Sequence, residues 1–316
     1  MKKNAFIFPG QGAQYPGMGK DFFEHYQEAR EVFEEADDLL GQHFSKFMFE
    51  ADVKSLALTK NAQPALYIHS HALLAVLRKN FPRLEPKFCL GLSLGEYSAI
   101  AAAKKMSFAS GLKLVAKRGE LMQKSAEKNP GTMAAVLPAT EEQVAIVLKP
   151  FQEKGLPVFI ANLNSPGQVV IAGAKDAIDA ATMQLKEAGA KRVLFLEVSG
   201  AFHTPFMQEA KEGLEEYINS VDFHESEIDL IMNVTGKKMA TIHELKQNLI
   251  KQVTAIVYWQ KSIEEAIKEG CNSFIEIGAG KTLTNMNKKI HTNTAISFES
   301  VADLEVINQA LNNGVL

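Results

Sequence analysis

The chain reads as an α/β protein in two parts, a large part on a mostly parallel sheet and a smaller unit inserted in its middle. Three observations predict this. Short β-branched or aromatic runs alternate with amphipathic helical runs near both ends of the chain. The middle instead spells strand, helix, strand, strand, helix, strand. Between strand-like Lys87–Leu90 and a helix-like run beginning at Gly95 stands Gly91-Leu92-Ser93-Leu94-Gly95, a Gly-x-Ser-x-Gly turn in the strand-to-helix context of an α/β-hydrolase-like fold.

Taken in order, Asn4–Phe8 is an apolar strand that runs into the glycine-punctuated loop Pro9-Gly10-Gln11-Gly12-Ala13-Gln14. Apolar residues recur every three or four positions over Gln63–Asn80 and Ser107–Lys128, which predicts helices on either side of the strand Lys87–Leu90. The segments Gly131–Leu137, Glu141–Glu153, Val158–Leu163, Gln168–Ala172, Ala177–Ala188 and Arg192–Val198 follow the ferredoxin-like order. Turn residues in Asn129-Pro130-Gly131 and Ser199-Gly200-Ala201 bound that unit, so residues 129–198 are expected to form the small subdomain and residues 1–128 with 199–316 the large domain. Helices Thr204–Asn219, Tyr258–Glu269 and Lys281–Ile290 and strands Glu227–Met232, Ser273–Ile277 and Thr294–Phe298 complete the α/β pattern. A cleft between the two units is the expected ligand site.

With 316 residues, 46% of them hydrophobic, the chain can bury a large core. Its net charge of −3 comes from interspersed acids and bases, which argues against nucleic acid and against an anionic membrane surface. Met1-Lys2-Lys3 precedes an apolar run too short for a secretory segment, and no stretch approaches a membrane span. Cys89 and Cys271 are read as packing thiols of a reduced, cytoplasmic protein.

A serine hydroxyl is a poor nucleophile at neutral pH and needs a base, usually histidine, within hydrogen-bond reach. Ser93 is the candidate nucleophile, with flanking glycines because the turn is sharp. His203, in Ser199-Gly200-Ala201-Phe202-His203-Thr204-Pro205, follows a strand and a turn and precedes a helix start, from where it can reach the mouth of a sheet. His69 and His71 are two apart on a helix and cannot share a metal, while His25, His43, His224, His243 and His291 sit in polar, surface-like contexts. The Gly10-x-Gly12 loop lacks the third glycine of a dinucleotide fingerprint, since Tyr15 stands there. An oxyanion contact suits it better. Gly278-Ala279-Gly280-Lys281-Thr282 is no phosphate loop, because Ile275 occupies the position of the first glycine. No metal and no cofactor are expected.

Gly10-Gln11-Gly12-Ala13-Gln14, Gly91-Leu92-Ser93-Leu94-Gly95-Glu96-Tyr97, Arg118-Gly119, Ala201-Phe202-His203 and Glu276-Ile277-Gly278-Ala279-Gly280 together resemble the malonyl-CoA:acyl carrier protein transacylases of bacterial fatty-acid synthesis. The resemblance covers essentially the whole chain. It implies malonyl transfer from malonyl-CoA to the phosphopantetheine thiol of acyl carrier protein, in ping-pong fashion through Ser93, with His203 as base. It also implies an oxyanion hole from the backbone amides of Gln11 and Leu94, and a backbone carbonyl at Gln252 that orients His203 in place of an acid. Arg118 would hold the malonyl carboxylate, although Lys113, Lys117 and Lys124 on the same helix read as a solvated face. Leu94 and Phe202 resemble the malonyl-selective members. Lys191, Arg192, Lys281, Lys288 and Lys289 are candidates for docking an acidic carrier, and the chain is expected to be monomeric.

Two positions depart from the family pattern. Leu92 stands where histidine usually precedes the nucleophile, and Ala279 where proline is common. Activity is expected to survive Leu92 with altered rate or substrate tolerance, since the chemistry rests on Ser93, His203 and backbone amides, and Ala279 merely loosens a turn. The alternatives are a serine hydrolase that passes its acyl group to water, or a non-catalytic acyl-CoA-binding protein on the same fold.

Overall fold

The computed structural model describes residues 3–316, so the start Met1-Lys2 lies outside the described residues. Ten strands are numbered along the chain: β1 Lys3–Phe8, β2 Phe88–Gly91, β3 Thr132–Leu137, β4 Val158–Ser165, β5 Gln168–Gly173, β6 Arg192–Phe195, β7 Asp229–Met232, β8 Lys237–Lys238, β9 Cys271–Ile277 and β10 Thr294–Phe298. Six form one sheet in the order β10-β9-β1-β2-β7-β8, parallel except for the two-residue edge strand β8. The other four form a separate antiparallel sheet in the order β4-β5-β3-β6, the ferredoxin-like arrangement expected for the middle of the chain.

Side chains alternate across a strand, and β1 sorts its residues accordingly. Phe6 and Phe8 join the core of Phe22, Phe33 and Leu73 on one face, while Ala5 and Ile7 pack with Trp259, Ile263 and Leu283 on the other. A parallel sheet covered on both faces needs such strands, apolar throughout. In the small sheet the same alternation sets up the site. Ala134 and Val136 of β3 bury against Val144, Leu148, Ile178 and Leu185 of its own two helices, while Met133 and Ala135 turn toward the large sheet. The small sheet is also tied by backbone bonds to the segment that follows helix Ile242–Gln252: Leu163 N–H donates to Val257 O at 2.9 Å, and Val257 N–H to Ala161 O at 2.9 Å.

The structure differs from the sequence reading at several elements. The helix expected from Gln63 begins at Thr59, whose N–H donates to the Gln123 side chain at 2.9 Å, a cap brought from a distant helix. Arg192–Val198 is a strand only to Phe195, because β6 is a largely exposed edge strand. Thr204–Asn219 opens as a 3₁₀ turn at Pro205–Met207 before the α-helix Gln208–Ser220. Helices Lys20–His25, Gln27–Leu40, Phe44–Glu50, Val53–Ala57, Ile242–Gln252 and Asp303–Asn312 were not anticipated. One carried a local signal: Thr241 caps Ile242–Gln252 by accepting from Glu244 N–H, while Glu244 accepts from Ala240 N–H.

Candidate active site

Ser93 sits between β2 and the helix Gly95–Ala102 with φ 54°, a left-handed backbone that L side chains seldom adopt. Both flanking glycines are sterically required. A Cβ on Gly91 would lie 1.9 Å from the Gly95 carbonyl, and one on Gly95 would lie 2.1 Å from Phe8 O. The turn is held by Asn233, whose Oδ1 accepts from Ser93 N–H at 2.7 Å and whose Nδ2 donates to Gly91 O at 2.6 Å.

His203 also has a left-handed backbone, φ 62°, and its N–H is tied to Val253 O at 3.1 Å. Its Nε2 lies 2.8 Å from Ser93 Oγ and its Nδ1 2.8 Å from the Gln252 carbonyl oxygen. A carbonyl can only accept, so Nδ1 carries the proton and Nε2 is left free to accept from the serine. Burial, with help from the Arg118 charge, lowers the His203 pKa to about 4. The imidazole is therefore neutral at pH 7, the form a base requires.

Arg118 is 1% exposed, so it lies off the solvated face that Lys113 and Lys124 of the same helix do form. The helix Phe108–Lys128 packs along Thr59–Asn80 and buries this side of itself against the site. The guanidinium donates to Gln63 Oε1 at 2.7 Å, to Gln252 Oε1 at 2.9 Å and to Ser93 Oγ at 3.1 Å. It also stacks on the Tyr97 ring, 5.3 Å from the centroid. All three acceptors are neutral oxygens. Burial pushes the Arg118 pKa down from its ordinary value, the price of a cation without a bonded carboxylate.

Ser93, His203 and Arg118 line a cavity of about 290 Å³, walled on one side by Gly10, Gln11 and Leu92 and on the other by Met133, Asn162 and Asn164 of the small sheet. Gln11 anchors its side chain on Thr59 Oγ1 at 3.1 Å. Among the described residues, neither the Gln11 nor the Leu94 backbone N–H has a hydrogen-bond partner. The Leu94 side chain is fully buried and Phe202, 5% exposed, lines the cavity beside His203. Leu92 turns partly into the same space, so an apolar group occupies the position before Ser93. Cys89 and Cys271 are buried, with thiols pushed up to about 12 by burial. His69 and His71 are buried as well, and not in the surface contexts of the other minor histidines. No cluster able to hold a metal ion occurs among the described residues.

Sequence reasoning singled out neither Gln63, Asn233 nor the part played by Glu96. Glu96 is fully buried, and its two oxygens accept from Asn233 N–H and Gln252 Nε2, each at 2.6 Å. Burial raises its pKa to about 7 while those two hydrogen bonds and Arg118 oppose the rise. Glu96 belongs to the motif itself, but its partners are 137 and 156 residues away, so no local pattern reveals them.

Comparison with known proteins gives the family. The acyl transferase domain model matches residues 5–309. A malonyl CoA-acyl carrier protein transacylase of Bacillus subtilis (strain 168) is 41% identical over 311 residues, covering 98% of this chain and 97% of the relative. The crystal structure of a malonyl CoA-acyl carrier protein transacylase from Clostridium perfringens superposes with a TM-score of 0.93 at 37% identity, covering 98% of each chain. A malonyl-transacylase solved in complex with its type II PKS acyl-carrier protein superposes with a TM-score of 0.92 at 32% identity, covering 99% of this chain and 100% of that one. Among the described residues no helix is long and apolar enough to cross a membrane. The chain belongs to the acyl transferase domain family and is an acyltransferase of the malonyl-CoA–acyl carrier protein transacylase kind.

Proposed function

We propose that the chain transfers malonyl from malonyl-CoA to the phosphopantetheine thiol of acyl carrier protein through a malonyl-Ser93 intermediate. His203 Nε2 takes the Ser93 proton as Oγ attacks the thioester carbonyl, and Gln252 O steadies the imidazolium through Nδ1. The unpartnered Gln11 and Leu94 amides receive the oxyanion, a charge that exists only in the tetrahedral state. Collapse expels the coenzyme A thiolate, which His203 protonates. The carrier thiol then attacks the acyl-serine by the same steps in reverse, which makes the reaction ping-pong.

The observation that carries the malonyl assignment is Arg118. A buried cation whose bonded partners are all neutral, 3.1 Å from the nucleophile, has no carboxylate in hydrogen-bond contact, and the free carboxylate of malonyl would supply one. Gln63 and Gln252 grip the guanidinium by its two terminal nitrogens and so aim the fork, and Phe202 closes the apolar side of the acyl pocket. The reading involves no cofactor or metal. It takes residues 129–198 as a subdomain that roofs the site, and the chain as a cytoplasmic monomer whose partner is acyl carrier protein, docked on exposed lysines such as Lys281 and Lys288.

Intact mass after brief exposure to malonyl-CoA should rise by one malonyl group, mapped to Ser93 and discharged by carrier protein. Ser93→Ala should take up none. Label at another residue, or acyl-enzyme lost to water as fast with carrier as without, would point instead to a hydrolase or a binding protein.

A further inference from the structure

Four side chains that touch Ser93 or its helix, Arg118, Gln252, Glu96 and Asn233, form one hydrogen-bond circuit, and its polarity is fixed at Glu96 together with the Ser93 carbonyl. Gln252 Nε2 donates one hydrogen to Ser93 O at 2.8 Å and the other to Glu96 Oε2 at 2.6 Å, while its Oε1 accepts from Arg118 at 2.9 Å. The remaining Glu96 oxygen accepts from Asn233 N–H at 2.6 Å, and Asn233 in turn holds the elbow at Ser93 N–H and Gly91 O. Asn233 N–H is backbone and cannot turn, so the oxygen facing it must be an acceptor. The oxygen facing Gln252 must be one too, or the carboxamide would rotate and present N–H groups to the Arg118 cation.

We infer that Glu96 is a positioning residue for acyl selectivity: a side chain that accepts on both oxygens holds the Gln252 carboxamide in the one orientation that grips Arg118. This rests on the malonyl-transfer reading and deepens it. Glu96 touches no substrate, and its effect passes through Gln252 to the guanidinium. The same carboxylate therefore serves the nucleophile through Asn233 and the acyl carboxylate through Arg118, so the two halves of the site share one anchor.

Glu96→Gln preserves shape but replaces one acceptor with a donor. It should lower kcat/KM for malonyl-CoA by roughly 10- to 100-fold more than for acetyl-CoA, the scale of one hydrogen bond to a charged group. Gln252→Met should lower the malonyl-to-acetyl ratio similarly, and the double variant no further than either single one. Equal losses on both thioesters, or additive losses, would overturn the inference in favour of a merely structural carboxylate. Should Glu96→Gln fail to fold, the unmodified protein still decides. With glutamine labelled by ¹⁵N, the Gln252 side-chain amide protons should exchange slowly with solvent, whereas exchange as fast as that of an exposed glutamine amide would overturn the proposal. Absence of any acyl-Ser93 in the unmodified protein would sink the malonyl-transfer reading alone, because the amide signals report the circuit without turnover.

Discussion

Replacing Arg118 by methionine removes the guanidinium but keeps an unbranched side chain on the cavity wall. The fork now donates to Gln63 Oε1, Gln252 Oε1 and Ser93 Oγ at 2.7, 2.9 and 3.1 Å. For malonyl, the variant would bury a carboxylate with no cation, a loss of about 2–5 kcal/mol or roughly 30- to 5,000-fold. For acetyl, only the contact to Ser93 Oγ disappears, a bond from a charged donor of about 1.5 kcal/mol or roughly 10-fold. The malonyl-to-acetyl ratio should therefore fall by about 3- to 500-fold. Single-turnover acylation of Ser93, followed by intact mass with each thioester at matched concentration, reads this ratio directly. Equal losses for the two thioesters would refute the reasoning, because they would mean that Arg118 only supports the fold. A thermal melt run alongside separates the orphaned Gln63 and Gln252 oxygens from the effect on the substrate.

Gly95→Ala puts a methyl 2.1 Å from Phe8 O, in backbone that cannot yield without parting β1 from the elbow, so a loss of about 3 kcal/mol or more is expected in denaturant unfolding. An unchanged midpoint would contradict the close approach. Ser93 acylation by acetyl-CoA, which does not draw on the Arg118 fork, should persist well below pH 6.5 and fail only as His203 protonates near its lowered value of about 4, provided the fold survives; a limb at the ordinary histidine value would refute the burial argument. Stability should follow the same sign. His203 at about 4 and His69 and His71 at about 3 stay neutral in the native state while the unfolded chain binds protons from about 6.5 downward, so the histidine contribution to stability is full above that pH and lost as pH falls toward the native values, against an opposite contribution from Glu96, whose value is raised to about 7. Thermal midpoints across that range check it, and His69→Phe should flatten the decline.

The parts of the site legible in the sequence were those whose chemistry is local. Gly91, Ser93 and Gly95 form a contiguous turn, and the steric need for both glycines follows from a strand meeting a helix. His203 could be reached by a weaker argument, because a strand, a turn and a helix start bracket it. Arg118 could not. Its neighbours Lys113, Lys117 and Lys124 make its helix look solvated, and only the packing of Phe108–Lys128 on Thr59–Asn80 buries it, so the resemblance alone pointed there. The two-sheet architecture was visible in the switch of strand and helix order. The short N-terminal helices were not, because pieces of five to seven residues such as Val53–Ala57 and Phe44–Glu50 carry too few turns to display a period. Gln252 is intermediate: its helix had a readable Thr241–Glu244 cap, yet its dual use of carbonyl and carboxamide depends on residues from three other segments.

The paired backbone bonds that join Ala161 and Leu163 to Val257 bear on how this scaffold can be remodelled. They lie five residues beyond Gln252 and beside Asn162 in the cavity wall, so prising the roof outward to admit a bulkier thioester would drag on the support of His203. Enlarging the chamber is better done by trimming its lining at Met133 or Phe202, which leaves that seam intact. Grafting a foreign roof from a relative would have to reproduce the seam's register before any new specificity could be expressed.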